Sequence, residues 1–260
     1  MSDHVSIRKD GAVGTVMIDR ADRQNALTPK GIQDLQTAFN DLHGERNVRG
    51  VILTGAGSSF CVGTDLVHLH EQMQCPDPES FWQEEMPDCL ALFESMLRFP
   101  KPIIAAVDGR ALGVGLALML CSDYIVASDS SNFGTPEVRR GLMAGLAAPL
   151  IRRRCTLGVT NRLIYSGAEV DAAAALAAGL VDEIQPADRV WARAHQMVSE
   201  FVASAPTSLQ LSKQLINETI DENLFTQLSI GTANMAAARS TDAARKGVEA
   251  FVNKTKVTWD

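Results

Sequence analysis

The chain lacks the features that would place it in a membrane or on a nucleic acid. No stretch of about 18 apolar residues is free of charge, so no membrane span is predicted. The formal net charge is −7 and no basic stripe offsets it, which argues against nucleic acid as the main partner. The first residues, MSDHVSIRKDG, lack the apolar core of a signal peptide and the arginines of a transit peptide. We therefore expect a soluble cytoplasmic protein.

Sequence patterns for metals, disulfides and nucleotides are also missing. The 5 cysteines contain no Cys-x-x-Cys pair, which is typical of buried thiols in a reducing compartment. His68 and His70 lie one residue apart, but no third ligand has a suitable spacing, so we interpret them as a loop pair. The Gly-Lys-Ser/Thr of a P-loop is absent, and the Gly-x-Gly pairs that begin at Gly55 and Gly113 lack the third glycine of a dinucleotide site. We expect no bound metal and no separate cofactor.

What remains is the composition of a globular α/β protein. Hydrophobic residues make up 46% of the chain and charged residues 21%, which predicts a packed core. Val5–Ile7 and Val13–Ile18 are predicted strands of a hairpin, and Thr28 with Pro29 predicts the start of a helix. From Gly141 onward the pattern is mostly helical. No linker, repeat or low-complexity tract divides the chain.

Residues 67–90 show no clean period. Two prolines and several acids interrupt every helical or strand pattern, namely Pro76, Pro78, Glu79, Glu84, Glu85 and Asp88. Long irregular segments in compact domains are often functional. We therefore expect a mobile loop over a pocket here.

The most informative stretch is residues 107–137. Gly113 and Gly115 come just before the apolar run Leu116–Cys121, an arrangement that suits a helix N-terminus with free backbone N–H groups. A second strand follows, and then a tight turn that ends in Glu137. Amides that stabilise an anion and one carboxylate are the two parts of an acid–base site.

Plainer interpretations of the same residues stay open at this point. Glu137 is also compatible with a solvated turn acid or an ion-pair partner of nearby arginines, the candidates being Arg139, Arg140 and Arg152. Gly113 and Gly115 are also compatible with nothing more than a close contact between a helix and a strand.

Six short motifs follow one another along nearly the whole chain. They are Ile18-Asp-Arg with Asn25-Ala-Leu, Gly55-Ala-Gly with Phe60-Cys-Val-Gly-Thr-Asp-Leu66, Lys101-Pro-Ile-Ile-Ala-Ala-Val-Asp-Gly109, Ala111-Leu-Gly-Val-Gly115, Phe133-Gly-Thr-Pro-Glu137 and Ala178-Gly-Leu-Val-Asp182. In this order and spacing they resemble the crotonase superfamily, the enoyl-CoA hydratase/isomerase family. The resemblance implies an α/β fold, with a crotonase-like ββα spiral core over residues 1–200 and a C-terminal helical trimerisation region over residues 201–260.

The resemblance also implies what the chain binds. The substrate would be an acyl-CoA thioester, so that coenzyme A is part of the substrate, and the chain would self-associate as a homotrimer or a dimer of trimers. The oxyanion hole would be the backbone N–H groups of Thr64 and Val114. The family commonly has alanine and the middle of three glycines at these positions, but a backbone donor survives such a change. Binding contacts would come from Ala26, Val62, Asp65, Leu66, Phe251 and Lys254.

One family residue is missing. Hydratases of the family use two glutamates, of which Glu137 is one, and this chain has Ala117 in place of the other. Losing one acid–base group commonly lowers the rate ~10²–10⁴-fold. We therefore expect an enoyl-CoA isomerase that shifts the double bond from Δ3 to Δ2 with Glu137 as the single base. The alternatives are a hydratase of the fatty-acid β-oxidation type, which would use Glu137 with water or recruit Glu84, Glu85 or Asp88, and a non-catalytic acyl-CoA-binding homologue.

Overall fold

The structure, a computed structural model, describes residues 4–220 and 223–259 of the 260-residue chain. Its strands are β1 (Val5–Asp10), β2 (Val13–Ile18), β3 (Gly50–Gly55), β4 (Ser59–Cys61), β5 (Ile103–Val107), β6 (Arg110–Leu112), β7 (Tyr124–Ser128), β8 (Asn132–Gly134), β9 (Glu169–Asp171) and β10 (Glu183–Gln185). Its α-helices are α1 (Pro29–Gly44), α2 (Leu66–Met73), α3 (Pro78–Leu97), α4 (Val114–Leu120), α5 (Ala147–Arg154), α6 (Leu157–Ser166), α7 (Ala172–Ala177), α8 (Val190–Phe201), α9 (Pro206–Gln214), α10 (Leu224–Arg239) and α11 (Asp242–Val252).

Two sheets carry these strands. The larger has the order β1-β2-β3-β5-β7-β10 and the smaller the order β4-β6-β8-β9. The hairpin of β1 and β2 is antiparallel as predicted, and the remaining neighbours in the larger sheet are parallel. Three times in succession the chain passes from the larger sheet to the smaller one, from β3 to β4, β5 to β6 and β7 to β8. A helix or a 3₁₀ turn follows each pair, and this repeat confirms the predicted ββα fold class.

Both faces of the larger sheet are buried, which explains the continuous apolar runs of β3 and β5. Strands of a parallel sheet are covered by helices on both sides and therefore lose the alternation of apolar and polar residues. On one face Ile52 and Val126 pack with Val198 of α8. On the other face Leu53 and Val107 belong to the main core, which α1 and α4 complete.

The expectation of a loop over residues 67–90 is wrong, because this segment forms α2 and most of α3. Asp77 caps α3 and Pro78 is its first residue, a position where proline is well tolerated. Pro87 lies inside the helix and does not end it. The buried side chains recur at helical spacing, and the acids occupy the other faces; the buried set is Trp82, Met86, Cys89, Leu92, Phe93, Met96 and Leu97. Tertiary packing therefore decides the structure where local pattern predicted a loop.

Helix α10 lies in the region predicted to be helical, but it was not predicted as a separate helix. Its buried side includes Gly231 and Arg239 beside Leu224 and Leu228, so the apolar stripe is broken in the sequence. Gly231 lies against the backbone of Gly145, and a Cβ atom there would collide with the Gly145 carbonyl oxygen. Close backbone contact with the segment just before α5 thus holds the helix where apolar side chains are few.

The C-terminal helices α10 and α11 pack on elements that line the cavities described below. Helix α10 contacts α3, and α11 contacts α2 and the 3₁₀ turn Pro136–Arg140. The division at residue 200 and the trimerisation role stay predictions. No helix in the part of the chain that the structure describes is both long and apolar enough to cross a membrane.

Candidate active site

The carboxylate of Glu137 lies in the 3₁₀ turn that follows β8. Its Oε2 atom is buried and has no hydrogen-bond partner among the described residues. Burial raises the pKa of Glu137 to about 7, although the hydrogen bond from its own backbone N–H and the positive charge of Arg140 act in the opposite direction. A carboxyl group with this pKa accepts and releases a proton readily near neutral pH, as a general acid–base catalyst must.

Gly113 makes room for this carboxylate. Its φ of +54° is favourable only for glycine, and a Cβ atom at this position would collide with Oε1 of Glu137. Val114 is the next residue and the first of α4. The structure therefore brings Glu137 directly beside the segment that carries the predicted oxyanion amide. The plainer interpretation of the glycines as a mere helix–strand contact does not account for Gly113.

The two predicted oxyanion amides belong to adjoining segments. Gly63 has a φ of +91°, and a Cβ atom on it would lie 3.2 Å from the backbone N of Val114. Thr64 is held beside Leu27 by the bonds that Leu27 N–H donates to Gly63 O (2.7 Å) and Asp65 N–H to Leu27 O (2.8 Å). Within residues 4–220 and 223–259, no acceptor for the N–H of Thr64 or of Val114 is found. Both donors are thus available to a ligand oxygen.

Cys61 supports this turn and is chemically inert. Burial raises the pKa of its thiol to about 12, so it carries no reactive thiolate near neutral pH. Its Sγ atom accepts a hydrogen bond from the backbone N–H of Gly63 (3.4 Å). The thiol therefore helps to fix the backbone just before Thr64.

A cavity of about 400 Å³ opens in front of Glu137. Gly113 and Thr64 line it together with Glu137. Five of the six predicted binding residues also line it, namely Ala26, Val62, Asp65, Leu66 and Phe251. Lys254 does not; it is exposed beyond the end of α11 and has a φ of +54°.

Asp65 lines the cavity but is already engaged. Its carboxylate pairs with Arg20 (2.6 Å) and accepts the N–H groups of Val67 and His68, which caps α2. Burial alone would raise the pKa of Asp65, but Arg20 and these amides outweigh burial and hold the pKa below its usual range. Its role is therefore to position the turn after Thr64.

Three arginines of this cavity were not predicted as binding residues. Arg23, Arg110 and Arg140 all line it. The guanidinium of Arg140 lies 4.9 Å from the ring centroid of Phe251, and Arg110 pairs with Glu169. Guanidinium groups match phosphate oxygens, so this rim suits a ligand that carries phosphates. The signal in the sequence was weak, because the three residues are far apart along the chain.

None of the nearby arginines pairs with Glu137. The side chain of Arg139 donates to Ser166 O, that of Arg140 to Pro136 O and that of Arg152 to Cys155 O. The plainer interpretation of Glu137 as an ion-pair partner is therefore not what the structure shows.

A second, smaller cavity of about 40 Å³ also lies at the amides. Thr64 and Val114 line it, and so do Glu85 and Asp88 of α3. Both acids have partners: Glu85 pairs with Arg239 (3.2 Å), and Asp88 accepts from Gln33 (3.1 Å). Glu84 does not line this cavity and is exposed on the neighbouring cleft.

Ala117 is fully buried in the main core and lines neither cavity. Its methyl group therefore leaves no open space where a second acid would act. No group of three or more His, Cys, Asp or Glu side chains among the described residues is arranged to hold a metal ion. His68 and His70, which were expected in a loop, lie on α2.

Comparison with known proteins agrees with this geometry. A model of the family described as enoyl-CoA hydratase/isomerase matches residues 8–260. The chain belongs to this family. The short-chain-enoyl-CoA hydratase of Clostridium acetobutylicum is 29% identical over 259 residues, which are 98% of this chain and 97% of the relative. The 2,3-dehydroadipyl-CoA hydratase of Escherichia coli K12 is 29% identical over 88% of this chain and 86% of its own length.

Solved structures share the fold at similar identity. A carnitinyl-CoA dehydratase from Mycobacterium avium superposes with a TM-score of 0.83 at 31% identity, and the match covers 99% of this chain and 98% of that one. The chain is therefore an enzyme of the enoyl-CoA hydratase/isomerase class with the crotonase fold.

Proposed function

We propose that the protein is an enoyl-CoA hydratase in which Glu137 alone performs both proton transfers. The observation that carries the proposal is a buried carboxyl group with a pKa of about 7, whose Oε2 atom has no partner among the described residues. It lies beside two backbone amides for which residues 4–220 and 223–259 supply no acceptor. The names of the similar proteins, a short-chain-enoyl-CoA hydratase and a 2,3-dehydroadipyl-CoA hydratase, support hydration more than isomerisation.

The amides of Thr64 and Val114 bind the thioester oxygen of a 2-enoyl-CoA. Their hydrogen bonds draw electron density from C3 and stabilise the enolate that forms when water adds there. Each donor of this kind is typically worth ~3 kcal/mol. The arginines on the rim of the larger cavity bind the phosphates of coenzyme A.

Glu137 moves one proton twice. As a carboxylate it takes a proton from water while the water oxygen bonds to C3. The same carboxyl group then gives this proton to C2 of the enolate, and the thioester carbonyl is restored. The H and OH added to the double bond come from one water molecule, and Glu137 ends as a carboxylate again. A second acid at position 117 is therefore not required for the balance of protons.

The second candidate is an isomerase, and Ala117 favours it. In that reaction Glu137 removes a proton from C2 of a 3-enoyl-CoA and returns it at C4, with the same amides holding the enolate. The step needs one carboxylate and no positioned water. A site with a single acid–base group can therefore catalyse isomerisation with fewer groups than hydration needs.

Assays with matched 2-enoyl- and 3-enoyl-CoA thioesters separate the candidates. We expect hydration of the 2-enoyl thioester, measured as the loss of absorbance of the conjugated thioester. Isomerisation of the 3-enoyl thioester without hydration would replace the hydratase by the isomerase. Tight binding of both thioesters with no turnover would instead make the protein a non-catalytic acyl-CoA binder.

The proposal includes self-association as a homotrimer or a dimer of trimers through the C-terminal helices. Light scattering coupled to gel filtration measures the mass of the particle in solution. A mass of three or six chains is expected, and a monomer would contradict it.

A further inference from the structure

The smaller cavity is lined by a buried ion pair that the proposed reaction does not use. Arg239 of α10 is only 7% exposed and contacts Glu85 of α3 at 3.2 Å. Both residues line the cavity, as do Thr64 and Val114, whose amides hold the thioester oxygen. An acyl group that extends past these amides therefore meets the ion pair.

Within this ion pair, the unused hydrogen-bonding capacity consists of donors. Oε2 of Glu85 accepts from Arg239, and Oε1 accepts from the side-chain amide of Gln72, so each carboxylate oxygen has a partner. A guanidinium has five N–H donors. In the described part of the chain, the side chain of Arg239 makes only the hydrogen bond to Glu85. The ion pair can therefore offer a ligand a charged hydrogen-bond donor. A ligand group that binds it must be a hydrogen-bond acceptor.

The smaller cavity also has room for only a short group. Its volume of about 40 Å³ holds about three non-hydrogen atoms, because one water-sized group needs about 10–15 Å³ by this measure. A cleft of about 460 Å³ lies beyond, and Gln72, Glu85 and Asp88 line both spaces. The hydrogen bond between Gln72 and Glu85 forms part of the partition. A longer acyl chain would have to break it.

We infer that the acyl group of the substrate is short and ends in an oxygen acceptor that binds the guanidinium of Arg239. A hydrocarbon end would cover a buried charge without giving its donors a partner, which is unfavourable. A hydroxyl, carbonyl or carboxylate oxygen supplies that partner. Because Glu85 and Asp88 already place negative charge at the cavity, a neutral oxygen is favoured over a carboxylate.

This inference rests on the proposed function, and the test uses three 2-enoyl-CoA thioesters of equal chain length. They are 2-pentenoyl-CoA, 5-hydroxy-2-pentenoyl-CoA and glutaconyl-CoA, which end in a methyl, a hydroxyl and a carboxylate group. With C1 at the amides, C4, C5 and one oxygen fill the smaller cavity. We expect kcat/KM for the hydroxyl substrate to exceed that for 2-pentenoyl-CoA at least about tenfold, as for a hydrogen bond to a charged group. A higher value for glutaconyl-CoA would identify the acceptor as a carboxylate, and equal or faster turnover of 2-pentenoyl-CoA would overturn the inference.

A double variant tests whether the ion pair is responsible. In Glu85→Gln with Arg239→Met both charges are removed together, and the ratio of kcat/KM between hydroxyl and methyl substrates should fall to within about twofold. The matched control is Glu45→Gln with Lys9→Met, an exposed pair at 2.8 Å that lines neither cavity, and it should keep the wild-type ratio. A ratio unchanged in the first variant would show that the pair only ties α3 to α10. If the double variant fails to fold, Arg239→Lys, which keeps the charge but loses the planar fork, should lower the ratio in the same direction.

A binding measurement separates the test of this inference from the test of the proposed function. If no thioester is turned over, the hydratase proposal fails. Calorimetric titration with pentanoyl-CoA and 5-hydroxypentanoyl-CoA, which cannot be hydrated, then decides the inference. At least about tenfold tighter binding of the hydroxyl compound supports it, and equal binding overturns it.

Discussion

Glu137 and Glu85 each line a cavity that Thr64 also lines, yet they differ in what they touch. Oε2 of Glu137 is buried and has no partner among the described residues, and burial raises the pKa of this residue to about 7. Both oxygens of Glu85 accept hydrogen bonds, one from Gln72 and the other from Arg239, and its side chain is 15% exposed. An oxygen without a partner leaves Glu137 able to accept and release a proton, whereas the paired oxygens of Glu85 hold their neighbours in place.

Among the variants that test this comparison, Glu137→Gln is expected to have the largest effect on activity. The amide keeps the shape of the side chain but cannot take a proton from water, so kcat should fall about 10²–10⁴-fold with little change in Tm. Steady-state hydration assays and thermal melting measure the two effects. The control is Glu84→Gln, which changes an exposed acid and should keep wild-type rates. Wild-type turnover in Glu137→Gln would remove this residue from the mechanism.

A second variant removes the charged partner of Glu85. Arg239→Met should lower the free energy of unfolding by about 3 kcal/mol, because a largely buried carboxylate loses its counter-charge. Urea unfolding measures the loss. The exposed pair offers the comparison: Lys9→Met, whose ammonium group contacts Glu45 at 2.8 Å, should leave the free energy of unfolding nearly unchanged. Equal losses in the two variants would contradict the view that Glu85 depends on Arg239.

A smaller effect is expected from Gly113→Ala, which leaves the acid in place but moves it. The new Cβ atom meets Oε1 of Glu137 and the backbone has a φ of +54°, so we expect a loss of about 1–3 kcal/mol in stability and a lower kcat. The matched control is Gly158→Ala, where a Cβ atom meets nothing within 4 Å on α6, and its rate should be unchanged. An unchanged kcat in Gly113→Ala would show that the position of the carboxylate is less restricted than the structure indicates.

Motifs in the sequence predicted the elements around Glu137 well, since they lie close together along the chain. The hairpin, the capped α1 and the fold class are confirmed. Residues 67–90 were wrongly predicted as a loop because their acids and prolines interrupt the apolar period, while the buried side of α3 is set by packing. The arginines of the larger cavity and the pair of Glu85 with Arg239, 154 residues apart, depend on tertiary contacts that no local pattern contains.

The prediction of function was less complete than that of fold. By the family resemblance, Ala117 stands where hydratases have a second glutamate, and from it we expected isomerisation. The similar proteins support hydration more. Ala117 is packed in the core, and in the proposed mechanism Glu137 carries the proton in both steps, so the lack of an acid at position 117 is compatible with hydration. The absence of a second acid therefore restricts the mechanism to one acid–base group. It does not distinguish hydration from isomerisation.

The dependence of kcat/KM on pH tests the central claim most directly, because it counts the ionising groups that the reaction needs. Glu137 acts first as a base, so the rate of 2-enoyl-CoA hydration should rise as pH increases through about 7 and then reach a plateau. Glu137→Gln should show no such rise. A bell-shaped profile, which would require a second acid in its protonated form, or a profile that is flat between pH 5 and 8 in the wild type, would contradict catalysis by Glu137 alone.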